Sequence, residues 1–330
     1  MYYDVCVRRE GDCNAVKRKF TPTKAIVIAV IALVSGVIVF FAAVTAALFI
    51  GVENAAEESA TLQSKRLDEL ERAYADGTAP KISEADICAF DLSCAIADGV
   101  RINNLQYIAT HNSYKRGLNG CTEFVYELFG WEEMVATGGI DNGSLTDQLN
   151  CGVRSFELDV SLRGESMTVC HNLLTESESY APDVEGALRE LKMWSDYNPQ
   201  HLPVIVIMEF KNGISGQEES TMEGILAFEE LLYGVMGDKL FTPQDALGEY
   251  DSFAEFVAAD AYPTIAETVG KFIFMLHATG NDADGQDDVF KRRGVGVSRH
   301  LPFGPKKRDR AFIGAVSFVM FCLWYGRSLE

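Results

Sequence analysis

Hydrophobic and polar positions divide the chain into stretches of different character. Residues 25–51, AIVIAVIALVSGVIVFFAAVTAALFIG, carry no charge, and the run is longer than the ~20 residues that cross a bilayer core. A cleavable signal has a shorter apolar region nearer the N-terminus, so this pattern predicts a single uncleaved transmembrane helix. In residues 52–80, Leu62, Leu67, Leu70 and Ala73 fall near helical spacing among Lys65, Arg66, Asp68, Glu69, Glu71 and Arg72. There are too few heptads for a coiled coil, so the spacing predicts a stalk helix lying on its own domain and ended by Gly77 and Pro80.

Residues 81–290 alternate between two periods. Leu105 to Ala109, Val153 to Val160, Met167 to Cys170, Pro203 to Phe210 and Lys271 to Leu276 are short apolar runs of strand type. Between them Val184, Leu188, Leu191 and Trp194, then Ile225, Phe228, Leu231 and Leu232, recur at helical spacing. Ser144 with Asp147 three residues on reads as a helix start and Gly152 as its stop, leading into the strand that follows. The alternation predicts an α/β domain with a parallel sheet. Cys121 to Ile140 is rich in aromatic and aliphatic residues, which predicts packing on the domain, with an apolar rim dipping into lipid as the alternative.

Length and charge narrow the picture. A chain of 330 residues accommodates one main domain with appendages. A net charge of -19 argues against a nucleic-acid partner. The segment 1–24 is a short basic tail (Arg8, Arg9, Lys17, Arg18, Lys19, Lys24), whereas Glu53, Glu57 and Glu58 follow the apolar run. By the positive-inside rule the N-terminus is cytosolic, and the domain faces the lumen or the exterior as in a type II single-pass protein. The eight cysteines lack CxxC spacing, which disfavours a zinc site. In an oxidising lumen some of them pair: Cys88 and Cys94 can close a small loop, and Cys121, Cys151 and Cys170 offer further options. Asn142-Gly143-Ser144 is a glycosylation sequon.

The strand-like runs end in ionisable residues. His111 and Asn112 follow the first, and His171 and Asn172 follow the third. Glu157 and Asp159, two apart in the second, share one face of a strand while Phe156 and Leu158 share the other; Glu209 and Lys211 do the same at the end of the fourth. His201 precedes a proline at a strand start, which is the stability end of a barrel, whereas His277 ends the last run.

The ordered series THNSY (Thr110 to Tyr114), Gln148-Leu149 with GVRSFELDV (Gly152 to Val160), VCHN (Val169 to Asn172) and MEFK (Met208 to Lys211) resembles the catalytic domain of the calcium-dependent phosphoinositide phospholipases C. The resemblance spans roughly residues 100 to 280 and includes Leu240 to Pro243, Tyr262 to Ile265 and Gly270 to Phe274. It implies a TIM-type (β/α) barrel and cleavage of the phosphodiester between glycerol and inositol phosphate. Such cleavage needs a base for the inositol hydroxyl, an acid for the departing glycerol oxygen and positive charge for the anionic oxygens. By resemblance, His111 is the catalytic base and His171 the acid. Asn112, Glu157, Asp159 and Glu209 are the calcium (Ca2+) ligands, an amide and three carboxylates suited to a hard cation. The metal-independent branch uses an arginine near the acidic residue of the second strand, a place that Arg154 does not occupy. Lys211 is placed to contact the substrate phosphate, with a salt bridge to Glu209 as the alternative. The implied partners are a phospholipid substrate and the membrane, and a lumenal domain implies an exofacial lipid. A glycerophosphodiester phosphodiesterase and a non-catalytic lumenal binding module on the same fold are the other readings.

Residues 291–330 change character, from a stretch rich in Lys and Arg to a short apolar run, Ala311 to Tyr325. Five strand-like runs fall short of the eight of a closed barrel. The pattern therefore predicts a barrel incomplete at its C-terminus, with a truncated or misassigned reading frame favoured over a substitute closing element or a re-entrant membrane contact.

Overall fold

The structure, a computed structural model, describes residues 4–6, 15–17, 21–163, 166–172, 175–211, 218–251 and 253–276. Residues 291–330, the tail for which a truncated or misassigned frame is the favoured expectation, lie outside them, as does His277. The chain divides into two compact units, Met1–Gly51 and Val52–Glu330.

In the first unit a short antiparallel pair, β1 (Asp4–Cys6) and β2 (Ala15–Lys17), is followed by the apolar part of helix α1 (Pro22–Ala75). This helix is unbroken over 54 residues, about 80 Å at 1.5 Å per residue. By length and composition its apolar part can cross a membrane. Gly77, with φ 65, turns the chain out of the helix, and the Thr78 amide closes back on Ala73 O at 2.9 Å. Glycine suits that left-handed position because it has no Cβ to clash there.

In the second unit the expected stalk is a docked helix. Val52, Ala55, Ser59, Gln63 and Leu67 recur every three or four residues and are buried, and Tyr74 stacks on Tyr197 with ring centroids 4.6 Å apart. The docked stripe holds more small and polar residues than leucines, so leucine spacing shows only part of it.

Short helices α2 (Glu84–Cys88) and α3 (Leu92–Ala97) lead to strand β3 (Ile108–Ala109). Helices α4 (Gly120–Leu128), α5 (Glu132–Gly138) and α6 (Leu145–Asn150) precede the long strand β4 (Val153–Arg163) and its partner β5 (Ser166–Val169). Then come α7 (Val184–Tyr197), β6 (Val204–Lys211), α8 (Glu218–Met236), α9 (Pro243–Leu247), α10 (Phe253–Ala258), α11 (Ile265–Thr268) and β7 (Phe272–Leu276).

The strand order is β3-β4-β6-β7, all parallel, with β5 antiparallel to β4. Two sequence expectations change here. The Leu105 to Ala109 run contributes only two residues of strand. The Met167 to Cys170 run is the return arm of a hairpin that pairs with the far end of β4, Val160 to Arg163, which short β3 leaves uncovered. Among the described residues the sheet is open.

Alternation along the strands sorts side chains into two faces. Phe156, Leu158, Val160, Val204, Val206, Met208, Phe210 and Phe272 pack with α6, α7 and α8 in the main core. Ser155, Glu157 and Asp159 lie opposite Ile205, Ile207 and Glu209, and Ile205 and Ile207 lie opposite Ile273 and Met275 on β7. That second face is apolar at the start of the strands, where Ile205, Ile273 and Met275 cluster with Ile102 and Tyr107, and carboxylic toward their C-terminal ends.

Below the sheet, His201 is 2% exposed and joined to Ser195 Oγ at 2.8 Å and Leu202 O at 2.6 Å. Burial pushes its imidazole down to about 3, so it stays neutral and structural.

Candidate active site

The site begins with a register. Asp159 on β4 lies directly beside Glu209 on β6, with Glu157 two residues earlier on the same face. Ligand oxygens of these three carboxylates come within 4.8 Å of one another. Three like charges this close favour a cation among them, and a set of carboxylate oxygens suits a hard ion.

Beside them, every residue of the THNSYK stretch has an assignable contact. The segment continues next to β4 after β3 ends: the Thr110 amide donates to Ser155 O at 3.1 Å and the Ser113 amide to Glu157 O at 3.0 Å. Ser113 Oγ accepts from the Glu157 amide at 2.9 Å, and Gln148, buried on α6, ties Thr110 Oγ1 at 2.7 Å to Ser113 O at 2.7 Å. Asn112 has φ 50, a left-handed conformation that Asn tolerates better than most residues. The turn brings its amide to Glu157 Oε2 at 2.8 Å. The Tyr114 hydroxyl then donates between Asn112 Oδ1 at 2.9 Å and Asp159 Oδ2 at 2.7 Å. Burial, the charge of Asp159 and that hydrogen bond all raise the Tyr114 pKa, so the hydroxyl keeps its proton. Asn112 is thereby bound into the carboxylate cluster.

His111 is 80% exposed, with Nε2 at 3.3 Å from Glu157 Oε2 and Nδ1 at 3.2 Å from Asn112 Nδ2. His171 follows β5, next to Cys170, whose amide donates to Asp159 O at 3.2 Å. It is 42% exposed, and its Nδ1 meets Glu176 Oε2 at 3.0 Å. Lys115 Nζ donates to the same oxygen at 2.7 Å from a nearly buried position. Burial pulls Glu176 upward, but the hydrogen bonds and charges of His171 and Lys115 outweigh it and hold the carboxyl at about 2. Since this carboxylate only accepts, the His171 proton is assigned to Nδ1 and Nε2 is left for other chemistry.

Residues 161–294 match the family described as Ca2+-dependent phosphoinositide phospholipase C. Of the candidate residues, His171, Glu209 and Lys211 fall inside this match, and His111, Asn112, Glu157 and Asp159 lie before it. Among solved structures, the chain is similar to a calcium-dependent phosphoinositol-specific phospholipase C from Pseudomonas sp., at 23% identity and TM-score 0.42, covering 60% of this chain and 62% of that one. A Ca2+-dependent phosphatidylinositol-specific enzyme from Streptomyces antibioticus shares 21% identity over 67% of this chain and 61% of that one, at TM-score 0.38. The phosphatidylinositol-specific phospholipase C of Listeria monocytogenes shares 15% identity over 55% of this chain and 53% of that one, at TM-score 0.37. In the first of these matches the chain spans less than two thirds of the Pseudomonas protein's length. No curated protein matches.

The structure brings together His111, Asn112, Glu157, Asp159 and Glu209, with His171 joined through Cys170. The backbone of β6 runs through Lys211, opposite Ser161, but its side chain lies outside the described residues. Arg154 is on the opposite face, 2% exposed and paired with Glu84 at 2.9 Å, so it does not stand in for a metal. Tyr114 and Gln148 stand in the sequence motifs without an assigned role, and Lys115 and Glu176 stand outside them.

The cysteine-pairing expectation also changes. Cys88 and Cys94 are free thiols, as are Cys121, Cys151 and Cys170. The sequon has structural roles: Asn142 Nδ2 donates to His111 O at 3.1 Å and Asn112 O at 2.8 Å, and Ser144 is the capping residue of α6. A glycan on that nitrogen would displace the contacts that brace the His111 turn.

Proposed function

We propose that this chain is a membrane-anchored, calcium-dependent phosphodiesterase that cleaves phosphatidylinositol-type lipids to diacylglycerol and inositol phosphate. The convergence of three carboxylates with His111 where the middle of β4 lies beside the C-terminal part of β6 carries the reading. Glu157, Asp159 and Glu209, joined by Asn112, would hold the ion. Bound calcium supplies positive charge that favours ionisation of the attacking inositol hydroxyl and offsets charge on the phosphate oxygens. His111, the base, takes the hydroxyl proton, and its ring is held between Asn112 and Glu157. His171, the acid, keeps one proton on Nδ1 against Glu176 and delivers another from Nε2 to the glycerol oxygen. Lys211 contacts the phosphate. The same reading includes a TIM-type (β/α) barrel and a type II orientation.

A lipid substrate is supported by the excursion between Lys115 and Asn142, whose ends meet through the Asn142 amide and Lys115 O at 3.1 Å. Val125 and Tyr126 pack inward, as expected for the whole segment, but Phe124, Leu128, Phe129, Trp131, Met134 and Ile140 are exposed. An apolar group of this size beside a polar site suits a lipid surface.

The test uses the full-length protein in detergent, with phosphatidylinositol vesicles and calcium or a chelator. Calcium-dependent release of inositol phosphate is expected, reduced roughly a hundred- to ten-thousand-fold in His111→Ala and His171→Ala with the melting temperature preserved. A wild-type protein that melts cooperatively, binds calcium and releases nothing would replace this reading with a binding module.

A further inference from the structure

The His171 partner Glu176 sits in a segment, 175–183, that lies between the site and the docked part of α1. On its inner side, the Tyr180 amide donates to Tyr114 O at 2.7 Å, and Lys115 bridges Ser179. The Glu176 amide also closes a turn on Asn172 O at 2.8 Å, which places the carboxylate beside His171 Nδ1. On its outer side, Ser177 Oγ donates to Val52 O at 2.8 Å and the Ser179 amide to Ser59 Oγ at 3.2 Å. Arg66 donates to Tyr180 O, and Gln63 exchanges hydrogen bonds with Asp183, 3.0 Å each way.

These contacts are spaced by the helix. Val52, Ser59, Gln63 and Arg66 lie on one stripe of α1 and meet Ser177, Ser179, Asp183 and Tyr180 of the segment. Ser59 and Ser179 are fully buried, while Gln63 and Ser177 are nearly so. Buried polar groups of this kind are costly unless paired, so the helix and the segment fix one another's register. Val52 directly follows the apolar run of residues 25–51.

We propose that the membrane-proximal part of α1 is a positioning element of the active site: through Ser59, Val52 O and Ser177 it sets the place of Glu176, which orients the His171 imidazole. Glu176 and Ser177 are positioning residues for His171, and the helix that continues the membrane anchor is part of the machinery. The inference rests on the proposed phosphodiesterase, so its test reads the imidazole as well as turnover.

The experiment compares full-length wild type, Glu176→Gln and the double variant Ser59→Ala/Ser177→Ala, all labelled with 15N-histidine. Ser177→Ala alone replaces the double variant if the latter does not melt cooperatively. In wild type the His171 ring shows the form protonated at Nδ1; in the variants its signal moves toward a mixture of forms while that of His201 stays. With phosphatidylinositol vesicles, kcat falls about ten-fold at unchanged KM and calcium half-saturation in both variants. An unchanged His171 signal in Ser59→Ala/Ser177→Ala overturns the inference whether or not the wild type is active. Unchanged kcat in an active protein overturns it as well. A wild type that releases nothing while its His171 signal responds to the substitutions overturns the phosphodiesterase reading and retains the positional link.

Discussion

At the scale of single residues, the site is organised by groups that support the candidate ligands and acid–base pair. Tyr114 illustrates how. Fully buried, it cannot reach solvent or substrate, yet its hydroxyl lies between Asn112 and Asp159. Residues that hydrogen-bond metal ligands fix their orientation, and their loss typically lowers affinity about 10- to 100-fold. Tyr114→Phe is therefore expected to weaken calcium binding at least about ten-fold, measured as the calcium dependence of the melting temperature. An unchanged calcium response would mean that Asp159 is held by its other contacts. Arg154 shows the complementary case, a charge that β4 turns into the core to meet Glu84.

At the scale of elements, the junction between α7 and β6 decides how closely the sheet and its start loops pack. Gly270 sits just before β7 with φ 72, and its amide donates to His201 O at 2.9 Å. A Cβ added there would lie 2.6 Å from the backbone oxygen of Pro199. That atom cannot move aside as a flexible side chain would. Gly270→Ala thus combines a left-handed backbone with a clash, and is expected to lower stability by about 2 to 4 kcal/mol in denaturant unfolding. A loss under about 0.5 kcal/mol would show that the Pro199 loop yields freely.

At the scale of the whole molecule, α1 combines an apolar segment with a docked one in a single helix. A chain beginning at residue 76 would strip Val52, Ala55, Ser59, Gln63 and Leu67 from the surface they cover, and would leave Glu190 without Arg66, which meets it at 3.1 Å. Removing one partner of a buried ion pair costs about 3 to 5 kcal/mol. A chain beginning at residue 52 is expected to melt cooperatively and one beginning at 76 to lose several degrees or the transition itself, as followed by circular dichroism. Equal melting temperatures would mean that the helix docks without contributing to stability.

Much of the second unit could be read in the sequence because it depends on local patterns. The period of 3.6 in α7 and α8, the capping box at Ser144 and Asp147, the stop at Gly77 and the alternation of Phe156 and Leu158 against Glu157 and Asp159 are written within a few neighbouring residues. The candidate residues were legible for the same reason, since each lies within or just after an apolar run. Only the tertiary structure decided that Met167 to Val169 returns antiparallel, because strand direction follows from which edge of β4 remains open beside a two-residue β3. It also gave Asn142 its bracing contacts to the His111 turn and gave His171 its partner five residues away. It seated the helix after the apolar run on the segment that carries Glu176. Those contacts join residues up to 125 positions apart, as Val52 and Ser177 are, and no local period encodes a meeting that depends on how packed elements come to face each other.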